Sequence, residues 1–256
     1  MIELNKIYCM DNLEFMKGLP DESVDCIITS PPYCFKRSYD IYQDSDVDYN
    51  DYANWLTDIF KECYRILKTG GRIFVNVQPV FSDHFPTHHV VSQILTNCGL
   101  TWGGEILWEK NNYNCNYTAW GSWCSPSQPY LKYTWEYIEY FYKKSPKHPG
   151  NKDNIDIVGD EFKKWTTAKW VIAPERRQQE FGHPAMFPEE LVERILKLFT
   201  FKGDIVFDPF VGAGTTCVVC ERMERKYIGT DISENYCEIS RKRIQKVIDS
   251  KENPLW

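Results

Sequence analysis

Two short apolar runs, each ending abruptly in a loop of special backbone chemistry, constrain this chain more than any other feature. Val24-Asp25-Cys26-Ile27-Ile28 runs into Thr29-Ser30-Pro31-Pro32-Tyr33, and Asp204-Ile205-Val206-Phe207 runs into Asp208-Pro209-Phe210-Val211-Gly212-Ala213-Gly214-Thr215-Thr216. Runs of this length read as buried strands. Loops at the carboxyl ends of parallel strands are where open α/β sheets bind ligands. With 256 residues, 43% of them hydrophobic, the chain can bury a full core as one such domain.

The remaining pattern supports an α/β fold. Residues 51–68 place Trp55, Leu56, Ile59, Phe60, Cys63, Ile66 and Leu67 at helical spacing. Gly70-Gly71 is expected to end that helix and Arg72–Val77 to form a strand. A second helix carries Val90, Val91, Ile94, Leu95 and Cys98 and stops at Gly99, followed by a strand over Gly104–Trp108. From Asn111 to about Pro184 periodicity fades while Trp, Tyr, Asn, Ser and Lys accumulate, and only Thr134–Tyr142 reads as a strand. Alternation then returns, with a helix opened by Pro188-Glu189-Glu190, the strand at 204–208, a helix from Ala213, the strand Lys226–Thr230 and a last helix after Ser233. The expected architecture is a mostly parallel Rossmann-like sheet with an inserted recognition region, divided at 1–110, 111–182 and 183–256.

The loops carry distinct chemistry. Gly212 and Gly214 lack Cβ atoms at a strand-to-helix turn, which permits positive φ and lets a ligand approach backbone. Read alone, the pair is also compatible with a plain tight turn. It is not a dinucleotide fingerprint, for it lacks the third glycine, nor a phosphate-binding loop, for it lacks Gly-Lys-Ser/Thr. Asp231 ends the next strand, where a carboxylate can accept ribose hydroxyls or cap the following helix; Ser233 is the better cap. In Ser30-Pro31-Pro32-Tyr33 the prolines fix φ and lack N–H donors, so this loop presents acceptors. Ser30 and the Pro31 carbonyl can take the two hydrogens of a ring amine, leaving its lone pair on nitrogen, and Tyr33 offers a face for stacking a base. Alone, Pro-Pro-Tyr could equally be a rigid turn or a proline-rich ligand motif.

Together the two motifs resemble those of the amino-methylating DNA methyltransferases, and their order, catalytic motif first and glycine loop last, resembles the circularly permuted β group. The likeness covers nearly the whole chain. It implies S-adenosylmethionine as cofactor, with Asp208, Phe210, Gly212, Gly214, Thr215 and Thr216 on the methionine side and Thr29 at the neighbouring strand end. It further implies Asp231 on the ribose, Asp11 facing the adenine amine, and His183-Pro184-Ala185 closing over the cofactor, though His183 reads equally as a helix-entry residue. Ser30, Pro31, Pro32 and Tyr33 become the catalytic set, acting on a base flipped out of double-stranded DNA. Serine before Pro-Pro-Tyr is associated with cytosine N4 in this family, aspartate with adenine N6. No Pro-Cys dipeptide occurs, so the cytosine-C5 nucleophile is absent from the sequence. A nicotinamide-dependent oxidoreductase and a non-catalytic DNA-binding module are the rival classes.

Other features are less directive. The net charge of −6 leaves DNA contact to local clusters: Lys36-Arg37, Lys163-Lys164 with Lys169, and Arg176-Arg177, which read equally as solvated surface. The aromatic run Trp120–Ser127 is a candidate for contacting the target or its flanks, and reads also as an aromatic-stabilised loop. Cys217 and Cys220 form a lone CxxC expected to be core packing, and His84, His88 and His89 lack a metal-ligand pattern, so no metal is expected. Ten cysteines without a disulfide rhythm, no signal peptide and no run of about 18 apolar residues suit a cytoplasmic protein. A homodimer and a cognate restriction endonuclease are partners that the family resemblance brings with it.

Overall fold

The computed structural model describes residues 2–32, 38–39, 42–43, 48–79, 85–111, 121–131, 133–175 and 186–252. In chain order the elements are β1 (Lys6–Cys9), α1 (Asn12–Lys17), β2 (Val24–Thr29), β3 (Ser38–Tyr39), β4 (Tyr42–Gln43), α2 (Tyr49–Ile66), β5 (Leu67–Val77) and α3 (Thr87–Asn97). They continue with β6 (Thr101–Glu109), β7 (Trp135–Tyr142), α4 (Gly159–Trp165), β8 (Lys169–Val171), α5 (Glu189–Phe199), β9 (Ile205–Asp208), α6 (Thr215–Arg222), β10 (Lys226–Asp231) and α7 (Glu234–Glu252).

Eight strands form one sheet in the order β1-β10-β9-β2-β5-β7-β6-β8. The first five run parallel, β7 is antiparallel to both β5 and β6, and β8 is parallel to β6. β2 is buried along its whole length, because both faces of a central parallel strand are covered by helices. One layer packs α1, α2 and α3 on the sheet through Leu56, Ile59, Phe60, Val91 and Leu95; the other packs α5, α6 and α7 through Leu191, Ile195, Val219 and Ile244. The α/β architecture inferred from the sequence is the one observed, and the strand neighbours are consistent with the permuted order.

Two details differ from the sequence reading. β5 starts directly at Leu67, so Gly70 and Gly71 lie inside the strand rather than before it. Gly70 has φ of +83°, and a Cβ there would collide with the Lys147 carbonyl, which explains the glycine by a close crossing rather than by a helix stop. Within 111–182, β7 and β8 belong to the main sheet. β7 lies between β5 and β6, so this stretch supplies part of the core as well as surface.

Candidate active site

The two motif loops leave the sheet side by side. β2 and β9 are parallel neighbours, with Cys26 opposite Val206 and Ile27 opposite Phe207, so their carboxyl ends emerge together. Asp208, 1% exposed, ties them. Its carboxylate accepts from the Thr29 hydroxyl at 2.8 Å, the Thr216 hydroxyl at 2.7 Å and the Phe210 N–H at 3.1 Å. Burial raises its pKa to about 6, against the lowering effect of those donors. Thr29, Asp208 and Thr216 therefore lie beneath the loops and bond to one another.

The glycine loop is shaped by its backbone and clamped by its neighbours. Gly212 and Gly214 have φ of +49° and +82°, the left-handed region that favours glycine. Gly214 is also demanded by packing, since a Cβ would lie 2.7 Å from the Ser240 hydroxyl of α7. Ser240 donates to the Gly212 carbonyl at 2.6 Å, and Arg243 donates to the Ala213 carbonyl at 2.6 Å and to the Thr215 hydroxyl at 3.3 Å. The Pro209 carbonyl accepts from Asn12 at 3.1 Å and from Thr230 at 3.2 Å. Phe210 is half-buried at the rim of this loop.

The two expected acidic residues close the same end of the sheet. Asp231 stands at the tip of β10, half-buried, its carboxylate accepting from the Gly212 N–H at 3.0 Å and the Ser233 N–H at 2.9 Å. Ser233 in turn accepts from the Tyr236 N–H and so begins α7, the capping role foreseen for it. Asp11 is exposed beyond β1 and caps α1 by accepting from the Glu14 N–H at 3.0 Å. Four adjacent parallel strands thus bring Asp11, Asp231, the glycine loop and Ser30 to one edge.

On the target side, the Ser30 hydroxyl donates to the Asn76 carbonyl at the end of β5 (3.2 Å). The buried Tyr52 of α2 donates its hydroxyl to the Pro32 carbonyl at 2.6 Å. Pro31 is buried, and among the described residues no donor reaches its carbonyl. Asn76 Nδ2 donates to Glu136 at 2.5 Å, and Glu136 pairs with Lys110. Tyr33, His183 and Ala185 lie outside the described residues, as do His84, Trp120, Lys36-Arg37 and Arg176-Arg177.

Sequence reasoning did not single out Asn12, Tyr52, Asn76, Glu136, Ser240 or Arg243. Tyr52 lies three residues before the helical stripe that starts at Trp55, and the others need three-dimensional neighbours before they mean anything. Elsewhere, Cys217 and Cys220 are buried in the core with burial pushing both thiols up. His88 is stacked on Tyr137 with its pKa lowered to about 4 by burial. Asp25, His148 and Asp204 have ligand atoms within 4.8 Å of one another, but at the opposite ends of β2 and β9, where Lys68 and the Ile205 N–H already engage Asp25.

Comparison with known proteins gives this edge its context. The sequence profile of the N6/N4 DNA methylases matches residues 24–242, from the start of β2 into α7. The chain belongs to that family. The Type II methyltransferase M.BglII of Bacillus subtilis is 29% identical, over 98% of this chain and 71% of its own. Among solved structures, TTHA0409 of Thermus thermophilus, complexed with S-adenosyl-L-methionine, shares the fold with a TM-score of 0.74 at 24% identity over 95% of each chain. The PvuII DNA methyltransferase, cytosine-N4-specific, gives a TM-score of 0.71 at 21% identity, over 95% of this chain and 89% of that one.

This DNA methylase is of a family that draws its methyl group from S-adenosylmethionine. The residues present fit that group. Two left-handed glycines expose backbone beside a half-buried carboxylate at the tip of the next strand.

Proposed function

We propose that this DNA methylase transfers a methyl group to the exocyclic N4 amine of a cytosine flipped out of duplex DNA at a specific sequence. The observation that carries this reading is Ser30, seated before Pro31-Pro32 at the end of β2, one strand from the glycine loop and joined to it through Thr29 and Asp208. When bound, S-adenosylmethionine supplies a methyl group activated by a sulfonium sulfur. Ser30 and the Pro31 carbonyl accept the two hydrogens of the target amine, which concentrates its lone pair on nitrogen and orients it for in-line attack. Transfer would exchange one amine hydrogen for the methyl group, S-adenosylhomocysteine being the leaving product, and the displaced proton would pass from its acceptor, Ser30 Oγ or the Pro31 carbonyl, to solvent. No covalent enzyme intermediate is needed.

In this reading Asp231 holds the ribose, Asp11 faces the adenine, and Phe210, Gly212 and Gly214 line the methionine side. Thr29, Asp208, Thr215 and Thr216 act through loop shape, since their side chains are buried beneath it. Tyr33 stacks on the flipped base, and His183 and Ala185 close over the cofactor. The exposed Trp123, 72% accessible, and the exposed Lys163, Lys164 and Lys169 are candidate DNA contacts within 111–182. The reading includes a cognate endonuclease, supported by the Type II relatives, a homodimer supported by family resemblance, and a cytoplasmic location. No described helix is long and apolar enough to cross a membrane.

The test is incubation with mixed-sequence duplex DNA and methyl-labelled S-adenosylmethionine, then nucleoside mass analysis. N4-methylcytosine is expected. N6-methyladenine overturns the base assignment in favour of the adenine alternative, and label found only in protein or RNA overturns the substrate class.

A further inference from the structure

Helix α2 touches both loops. Tyr52 and Trp55 are three residues apart and share a face of the helix. The Tyr52 hydroxyl donates to the Pro32 carbonyl at 2.6 Å, on the target loop. Its ring lies 6.0 Å from that of Trp55, tilted by 38°. Trp55 in turn meets Phe210, on the glycine loop, edge-on at 5.5 Å and 60°. The contacts Pro32–Tyr52–Trp55–Phe210 therefore bridge the two loops on the helix side, while Thr29–Asp208–Thr216 joins them underneath.

Tyr52 belongs to the core beneath α2, with Trp55 and Phe210 packed against it, but core packing does not call for the Tyr52 hydroxyl. Tyr52 is 2% exposed, and a phenylalanine would fill the same space without burying a hydroxyl. Trp55 belongs to the apolar stripe of α2 yet stays half-buried, whereas Leu56, Ile59 and Phe60 on that helix are fully buried. The helix itself is fixed by those three residues, so it can act as a rigid mount. What Tyr52 and Trp55 add is a fixed separation between two loops whose reacting groups must meet.

We propose that Tyr52 and Trp55 are positioning residues for methyl transfer, holding the amine acceptors at Ser30 and Pro31 in register with the cofactor loop at Phe210. The inference rests on the functional reading above, but only on methyl transfer at these loops and not on the choice of base. In-line transfer is steep in distance, and a misplacement of about 1 Å can cost roughly a hundredfold in rate.

The test measures single-turnover transfer of labelled methyl to mixed-sequence DNA, together with KM for each substrate and the thermal midpoint. Tyr52→Phe removes only the hydroxyl. It is expected to lower the single-turnover rate by about tenfold or more, with both KM values and the thermal midpoint close to wild type. Trp55→Leu is expected to lower the rate similarly, and Trp55→Phe, which keeps an aromatic edge against Phe210, to restore most of it. A wild-type rate in Tyr52→Phe overturns the proposal, as does a rate loss in Trp55→Leu that Trp55→Phe fails to rescue. A drop in rate matched by a drop in thermal midpoint assigns these residues to stability and overturns it too. If the wild-type protein labels no DNA, the functional reading itself fails, an outcome distinct from a variant that behaves like wild type.

Discussion

The glycine loop and the serine-proline loop emerge from adjacent strands, yet they are held by different kinds of contact. Around the glycine loop, side chains from α1, β2, β10, α6 and α7 reach in, and its polar side chains are engaged by the scaffold: Asp208 by Thr29 and Thr216, and Thr215 by Arg243, while Asp231 of β10 accepts from two backbone N–H groups. Around Ser30–Pro32, anchors among the described residues include Asn76 through its carbonyl and Tyr52 through its hydroxyl. One motif is written mainly in scaffold chemistry, the other mainly in reaction chemistry. Substitutions in the first should therefore register as lost stability, and in the second as lost rate.

The largest expected effect breaks the scaffold side. Asp208→Ala leaves the buried hydroxyls of Thr29 and Thr216 without their shared acceptor and should cost about 2–4 kcal/mol in urea unfolding. Asp208→Asn keeps an acceptor and removes the charge, which gives a signed pH test. The folded protein holds the Asp208 proton up to about pH 6, against an ordinary value of 3.8. The stability contributed by that proton is fully present below about pH 3.8 and is lost as pH rises through about 6, so the Asn variant should flatten that part of the wild-type curve. A wild-type slope retained in Asp208→Asn would assign it to other groups.

Next, Ser30→Ala should lower the rate of methyl transfer by about a hundredfold while leaving the unfolding midpoint unchanged. A stability loss as large as that of Asp208→Ala would erase the contrast between the loops. The smallest expected effect lies between them. Asp231→Ala should weaken S-adenosylmethionine binding by about tenfold in a calorimetric titration, together with a modest loss of stability from the freed Gly212 N–H. Unchanged affinity would remove Asp231 from the cofactor site and leave it as a loop brace.

The contrast also explains what could be read in the sequence. β2 and β9 were legible because a short apolar run stopped by prolines or glycines has few other uses, and the left-handed turns at Gly212 and Gly214 follow from the same residues. The place of β7 within the main sheet was not legible. Thr134–Tyr142 reads as a strand, but nothing in it says that it pairs with β5. The glycines of β5 misled because Gly70 answers to Lys147, a residue distant in sequence. Asp208 and Thr216 were visible as motif letters, but their mutual bond and the partnership with Thr29 depend on strand order. Trp55 was hidden for a different reason: an amphipathic stripe gives every member the same appearance, whether it seals a core or braces a loop; Tyr52, one turn earlier, fell outside the stripe altogether.

The bond between Thr29 and Asp208 spans 179 positions of chain. During synthesis, the amine-accepting half is made early and must wait for β9 and β10 before the sheet can close around it. Contacts of such long range form slowly. The two motif loops therefore cannot be brought together until β9 has been made, and the site and the centre of the sheet take shape in one step.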